Sequence, residues 1–491
     1  MDIIRKYTAA FNAADEEVYK NTISNADAAD WLANEIPVLE CPDENIERTW
    51  YFRFWTYRKH VKHTDEDGWV ITEFLPKVPW SGKHNTINAA VGHHIYEGRW
   101  LKHAHTYLSD YIRFFLHQPE RAHQYSAWLA DAAWKLGEVT GNFDFGEEFW
   151  PLLCRYYEVW EETHQLPDGM FWSLDGRDAM EFSISGTPEG STKPRPGSRP
   201  TLNAYMCADA LALAKFARLY GDSAAEAKYL EKHETLKRLI NEKLWEDGFF
   251  RAYHFDEEHF SEDAYRKDGT APREEIGYIP WMFGIPAEGR EDAFALLDDE
   301  RCFASPYGIT TADRSHPRYL YEANHECLWN GYVWPFATAE TLTALGNAVR
   351  QYPGAAKYRS LFVKLLTQYA ASHTLTREDG TVVPWIDEVR HAERDDWSSR
   401  TILRNWGWQE RKGGYERGKD YNHSTFCDLV ISGLFGVKTD GETLAADPII
   451  PEGWDFMRIS RLPFRGRLYT IVYDRTGEKF GMGSGVRIFE E

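Results

Sequence analysis

Residues 202–244 read LNAYMCADALALAKFARLYGDSAAEAKYLEKHETLKRLINEKL. Leu202, Met206, Ala210, Leu213, Ala217 and Tyr220 recur at three- and four-residue steps and paint one face of a helix. Gly221-Asp222 stops that helix. Ala225, Tyr229, Leu236, Ile240 and Leu244 then start a second apolar face at once. So short a reversal between two such faces predicts an antiparallel helix pair. Outward from there the pattern returns. Residues 122–137 carry Tyr125, Leu129, Ala132, Ala133 and Leu136, and residues 334–350 and 356–371 are joined by Tyr352-Pro353-Gly354. The chain reads as helix, short turn, helix, repeatedly.

Asp67-Gly68, Asp168-Gly169, Asp247-Gly248 and Asp379-Gly380 each precede aromatic or β-branched residues. An Asp-Gly pair accepts positive φ, so each predicts a tight hairpin. Residues 183–200 (SISGTPEGSTKPRPGSRP) are rich in Gly, Pro and Ser and form a candidate substrate lid. Residues 456–489 alternate and are β-branched, which predicts a small antiparallel sheet. The expected division is a helical catalytic domain over 1–455 and a small β extension over 456–491 packed on it.

The composition narrows the partners. The chain has 491 residues with 56 Lys+Arg against 77 Asp+Glu, a net charge of −21, which argues against nucleic acid. Aromatic residues reach 15%, including 20 Trp, which excludes disorder and favours a site for sugars, whose C–H faces stack on flat rings. No stretch approaches the ~18 apolar residues of a membrane span. The N-terminus lacks the basic and apolar regions of a signal peptide, and the six Cys form no CxxC pair. A cytoplasmic, reduced protein without metal or cofactor is the expectation. Its partner would be a small carbohydrate; oligomeric state is not legible.

Glycoside hydrolysis needs two carboxyl groups, one on each side of the scissile bond. FWSLDGRDAMEFSISG holds Asp175, Asp178 and Glu181 beside Trp172 and Arg177. VVPWIDEVRHAERDDWSSR holds Asp387 and Glu388 between Trp385 and Trp397. A third acid, Glu326, precedes CLWNGYVWP, in which Trp329 and Trp334 are expected to wall a sugar pocket. His84, His93, His94, His103 and His105 crowd together, but their spacing fits no ordinary zinc pattern. Serine-nucleophile and phosphate-loop motifs are absent.

Several of these segments resemble glycoside hydrolase family 63 and its trehalase-like relatives, which include the mannosylglycerate hydrolases. LWNGYVWPFATAETLTALGN is similar to that group's W-x-G-P-x-W-P stretch, LDGRDAMEFS to its acid motif, and PWIDEVRHAERDDW to the segment holding its base. DYNHSTFCDLVISGLFGV, with His423, is similar to its C-terminal part. The resemblance implies a mainly α fold, an (α/α)6 barrel, and an inverting mechanism. Asp178 would be the proton donor and Glu388 the base, with Asp387 and Glu326 as alternatives for the base. The expected sugar-binding set is His84, Asn85, Trp172, Arg177, Glu326, Trp329, Trp334, Trp385, Asp387 and His423.

The resulting expectation is an exo-acting α-glycosidase of a small oligosaccharide or glycoside. A rhamnosidase-type hydrolase is an alternative within that class. A sugar isomerase or epimerase using the His pairs, and a sugar-binding module without turnover, are alternatives outside it.

Overall fold

A computed structural model describes residues 2–187, 193–254 and 272–491, and the fold is mainly helical. The stretch 202–244 lies in two helices, Pro200–Tyr220 and Ser223–Lys243, packed along each other. Gly221 makes the turn in the left-handed region at φ 75°, where a residue without Cβ is strain-free. Asp222 caps the second helix by accepting from the Ala225 N–H. A second pair follows the same logic. Pro335–Gln351 packs on Arg359–Ala371 across a 3-10 turn, Pro353–Tyr358. Within residues 122–137 the helix begins only at Leu129 and runs to Thr140; Pro119–Ala122 is a separate turn of helix.

Helix contacts continue between pairs. Pro200–Tyr220 packs on Leu129–Thr140, which packs on Val91–Gly98 and Ala104–Leu116. Arg359–Ala371 packs on Glu44–His60. Much of the aromatic excess goes into this core: Trp50, Trp100, Trp128, Trp160 and Trp281 are fully buried. No described helix is long and apolar enough to cross a membrane.

All four Asp-Gly pairs lie in chain reversals. Asp67-Gly68 joins Val61–Thr64 to Gly68–Ile71, and Asp247-Gly248 joins Trp245–Glu246 to Phe249–Phe250. Asp379-Gly380 joins Thr374–Thr376 to Val382–Pro384. Asp168-Gly169 lies between the bridged residues Gln165 and Phe171.

The C-terminal segment supplies three antiparallel strands, Phe456–Phe464, Arg467–Asp474 and Gly485–Glu490. A fourth comes from the other end of the chain. Val38–Glu40 pairs with the first of them, in the register Val38↔Ser460, Leu39↔Ile459, Glu40↔Arg458. The division expected at residue 455 therefore passes through a sheet shared by both parts. The turn at Arg465 is also tied to the helical body by its N–H, which donates to the Val139 carbonyl at 2.7 Å. The expected lid lies partly outside the described residues. Of its flanks, Arg195 donates to the Gly186 carbonyl at 2.7 Å, and Gly197–Ser198 pairs with Tyr253–His254.

Candidate active site

A cavity of about 360 Å3 opens among loops between the helices. Four carboxylates line it: Glu73, Glu181, Glu326 and Glu388. Trp80, Tyr125, Trp334 and Tyr421 supply aromatic wall, and His423 and Lys412 polar wall.

Glu181 comes from the acidic cluster of the loop after helix Phe149–His164. The loop is held in an unusual conformation: Ala179 and Phe182, on either side, have φ of 58° and 62°. Such left-handed, non-glycine residues persist where the surroundings over-determine them, and they gather at functional sites. Here the surroundings are specific. Asp178 Oδ2 accepts from Arg199 Nε at 2.6 Å, and Asp178 Oδ1 accepts from the hydroxyls of Ser126 at 2.6 Å and Ser173 at 2.8 Å. Arg199 also donates to the Ser185 hydroxyl at 2.9 Å. The Trp329 N–H donates to the Glu181 carbonyl at 3.1 Å, joining this loop to the Trp329–Trp334 wall. Among the described residues no cation pairs with the Glu181 side chain. Burial, and then repulsion from Asp175, Glu388 and Glu73, push its carboxyl up to about 8.

Glu388 has the opposite surroundings. Arg417 grips it with two bonds, Nε to Oε2 at 3.0 Å and Nη2 to Oε1 at 3.1 Å. Burial still raises its carboxyl above the ordinary value, with Arg417 opposing. The same guanidinium donates to Glu326 Oε1 at 2.9 Å and to Cys327 Sγ at 3.3 Å. Lys412 Nζ sits 2.8 and 2.7 Å from the two Glu326 oxygens. Burial works against the Glu326 charge, but Arg417, His325 and Lys412 outweigh it and hold that carboxyl below its ordinary value. Burial raises the Cys327 thiol well above its ordinary value, so it stays protonated. Glu73 is pushed up to about 8 by burial, and its Oε1 lies 3.1 Å from His423 Nε2.

The segment carrying Arg417 reaches the site by a close approach. A Cβ on Gly418 would stand 1.9 Å from Asp387 Oδ1 and 3.2 Å from the Glu388 nitrogen. Only glycine lets these two strands of chain meet there.

Of the residues expected from sequence, Glu326, Trp334, Glu388 and His423 meet at this cavity. Trp329 stacks behind Trp334 at 4.4 Å between ring centroids. The others point elsewhere. Asp178 lies outside the lining and is fully enclosed with Arg199. Asp387 accepts from the Glu388 N–H at 2.8 Å and from Trp385 Nε1 at 3.2 Å, so it shapes the turn that presents Glu388. His84 bonds Asp67 at 2.6 Å, and Asn85 donates to the carbonyls of Phe74 and Pro76, both at 2.9 Å. Arg177 donates to the His123 carbonyl at 2.8 Å, and Trp172 stacks on His164 at 4.7 Å. His93 and His94, the pair behind the isomerase alternative, bond the carbonyls of Phe336 and Asn422 in the core. Glu66, Asp67 and His84 are close enough to share a cation, but Lys83 Nζ already lies 2.6 and 2.5 Å from the two acids. Glu73, Arg417, Lys412, Trp80 and Tyr421 join the site without having been expected there. Arg417 lies just before the run DYNHSTFCDLVISGLFGV, and Tyr421 lies within it, two positions before His423.

A family model for the mannosylglycerate hydrolase MGH1-like glycoside hydrolase domain matches residues 83–424. A solved structure named "Sialidase" is 34% identical, with a TM-score of 0.87, over 100% of this chain and 43% of that one. An α-L-rhamnosidase from Dictyoglumus thermophilum is 13% identical, with a TM-score of 0.53, over 90% of this chain and 43% of that one. A GH63 mannosylglycerate hydrolase from Thermus thermophilus, in complex with Tris and D-glycerate, is 10% identical, with a TM-score of 0.50, over 78% of this chain and 100% of that one. The last two likenesses are of fold. The chain spans less than half the length of the sialidase and rhamnosidase chains.

Proposed function

The chain belongs to the mannosylglycerate hydrolase MGH1-like glycoside hydrolase family, and on that premise we propose that it is an exo-acting glycosidase whose proton donor is Glu181 and whose base is Glu388. One contrast carries the assignment: a cavity carboxyl with no cationic partner among the described residues, beside a second carboxyl held at both oxygens by Arg417. With its carboxyl raised to about 8, Glu181 holds a proton at neutral pH. It would deliver that proton to the glycosidic oxygen as the C–O bond breaks. Glu388, whose charge Arg417 favours against burial, would take a proton from the water that bonds to the anomeric carbon from the opposite face. The product would then have inverted configuration.

The volume supports an exo mode. At about 360 Å3 the cavity lies near the lower end of ligand pockets, roughly 300–1,000 Å3. That suits one terminal sugar with Trp334 or Trp80 against its ring better than a polymer passing through. The mainly helical pairing and the fold likenesses agree with an (α/α)6 barrel carrying these loops.

A screen of chromogenic glycosides, α-linked first and β-linked beside them, tests the activity. Proton NMR of the first-formed product then reads the stereochemistry. Release of an inverted sugar, abolished in Glu181→Gln, is the expected result. No release from any member, or a retained product, overturns the reading.

A further inference from the structure

A second cavity, about 330 Å3, lies between the helical body and the C-terminal sheet, away from the carboxylate site. Arg99, Lys102, His103, His105, Arg465 and Arg467 line it, and no described lining residue carries a carboxylate. In a chain with a net charge of −21 this concentration of cations runs against the surrounding field.

Three acids beside the cleft pair with its cations. Asp428 Oδ1 accepts from Arg99 Nη2 at 2.7 Å, Glu35 Oε1 lies 2.7 Å from His103 Nδ1, and Glu490 Oε2 accepts from Arg467 Nη1 at 2.8 Å. Lys102 and Arg465 have no ion pair with a described carboxylate. Two buried donor positions in the cleft also lack partners: Arg99 Nη1 and Arg465 Nε. Arg99 is only 5% exposed, so its free nitrogen is fixed in place. Arg465 is held too. It adopts φ 48° in the turn between two strands of the sheet, and its N–H is tied to Val139. Buried donors without acceptors carry a desolvation cost that an incoming acceptor would relieve.

We propose that this cleft is a second binding site, for a small molecule bearing an oxyanion, either the carboxylate of an acidic sugar or a phosphate. Arg99 Nη1 and Arg465 Nε would donate to its oxygens, and Lys102 would add charge at the mouth. Thr106 and Asn142, also in the lining, would meet hydroxyls of a larger ligand. The site is independent of the catalytic assignment.

Isothermal titration of the full chain at low ionic strength tests it, with trigalacturonate, inorganic phosphate and maltotriose as probes. One or both anions should bind, maltotriose should not, and added salt should weaken the binding. Which anion binds identifies the source of the oxyanion. Lys102→Ala/Arg465→Ala should weaken binding at least tenfold, while Glu181→Gln leaves it unchanged. Lys102→Glu, at an exposed position, serves if the double variant fails to fold, and should weaken binding in the same direction. Binding by neither anion, equal binding of maltotriose, binding that survives the charge variants, or binding lost in Glu181→Gln would each overturn the proposal.

Discussion

Arg199 Nε stands 2.6 Å from Asp178 Oδ2, and the two side chains are 1% and 0% exposed. This pair lies beneath the loop that turns Glu181 into the cavity. A carboxylate so placed, with two serine hydroxyls on its other oxygen, ties the Asp178 loop to Ser126, Ser173 and Arg199.

Asp178→Asn should therefore reveal itself in stability. Removing one partner of a buried pair leaves a charge uncompensated, at a cost of about 3–5 kcal/mol. Thermal unfolding should show a clear fall in Tm for Asp178→Asn and little change for Glu181→Gln. Activity should fall in both. Equal Tm values for Asp178→Asn and the parent would argue that Asp178 does no structural work.

The alkaline side of the pH profile should belong to Glu181. Its carboxyl is raised to about 8, so the acid form is present below that pH and lost above it. Activity should decline as pH rises through about 8. Glu181→Gln should remove this limb and lower kcat by roughly 10²–10⁴-fold, the ordinary worth of a general acid. Glu73 is also raised to about 8, so Glu73→Gln is the control. If the limb moves with Glu73 and not with Glu181, the proton donor has been misassigned.

Arg417→Ala should act on the acidic limb. Arg417 opposes the upward push on the Glu388 carboxyl, so its loss lets that carboxyl rise further. The base would then be protonated at a higher pH, and the rise of activity with pH should begin later. Because Glu326 loses a partner as well, Tm should also fall. An acidic limb unmoved in Arg417→Ala would separate Glu388 from the base.

Gly418→Ala is a test of position alone. The new Cβ would collide with Asp387 Oδ1 and press on the Glu388 nitrogen. We expect a larger loss in kcat than in Tm, since the displaced turn is the one presenting Glu388. Full activity in the alanine variant would show that the turn tolerates the shift.

Stability should carry its own pH signature. Glu340, which accepts from the Tyr205 hydroxyl, is raised from 4.5 to about 8 by burial, and Glu97 to about 7. Each folded carboxyl holds its proton where the unfolded one has lost it. The folded state thus binds more protons between about 4.5 and 8, and stability falls as pH rises through that window. His60 opposes this: burial lowers it to about 3, so its contribution falls as pH drops below 6.5. Denaturant unfolding of Glu340→Gln across pH 5–8 should give a flatter profile than the parent. An unchanged slope would remove Glu340 from the account.

The helix pairs and hairpins were legible because their signals are local. Gly221 and the apolar spacing around it act within a few residues, and so do the four Asp-Gly turns. The place of Glu388 and Trp334 in the cavity lining was legible because aromatic neighbours accompany them in sequence. The different surroundings of Asp178 and Glu181 were not legible. They are three positions apart in one motif, and what distinguishes them is Arg199, which folds back onto one of them. Arg417 was hidden for a related reason. Its partners Glu326 and Glu388 lie 91 and 29 positions away. Burial of a charged side chain by distant segments leaves no trace in spacing or periodicity.

The strand Val38–Glu40 finds its partner more than 400 positions later, with Glu40 and Arg458 separated by 418. During synthesis Glu40 must wait for Arg458, 418 positions later, before the strand can pair. In that interval its backbone is an open edge, the kind of surface on which nascent chains join one another. Closing so long a loop is also a late and slow event in folding. Removal of residues 456–491 would accordingly be felt first at Val38–Glu40, as aggregation through the orphaned strand rather than as damage to the loops of the carboxylate cavity.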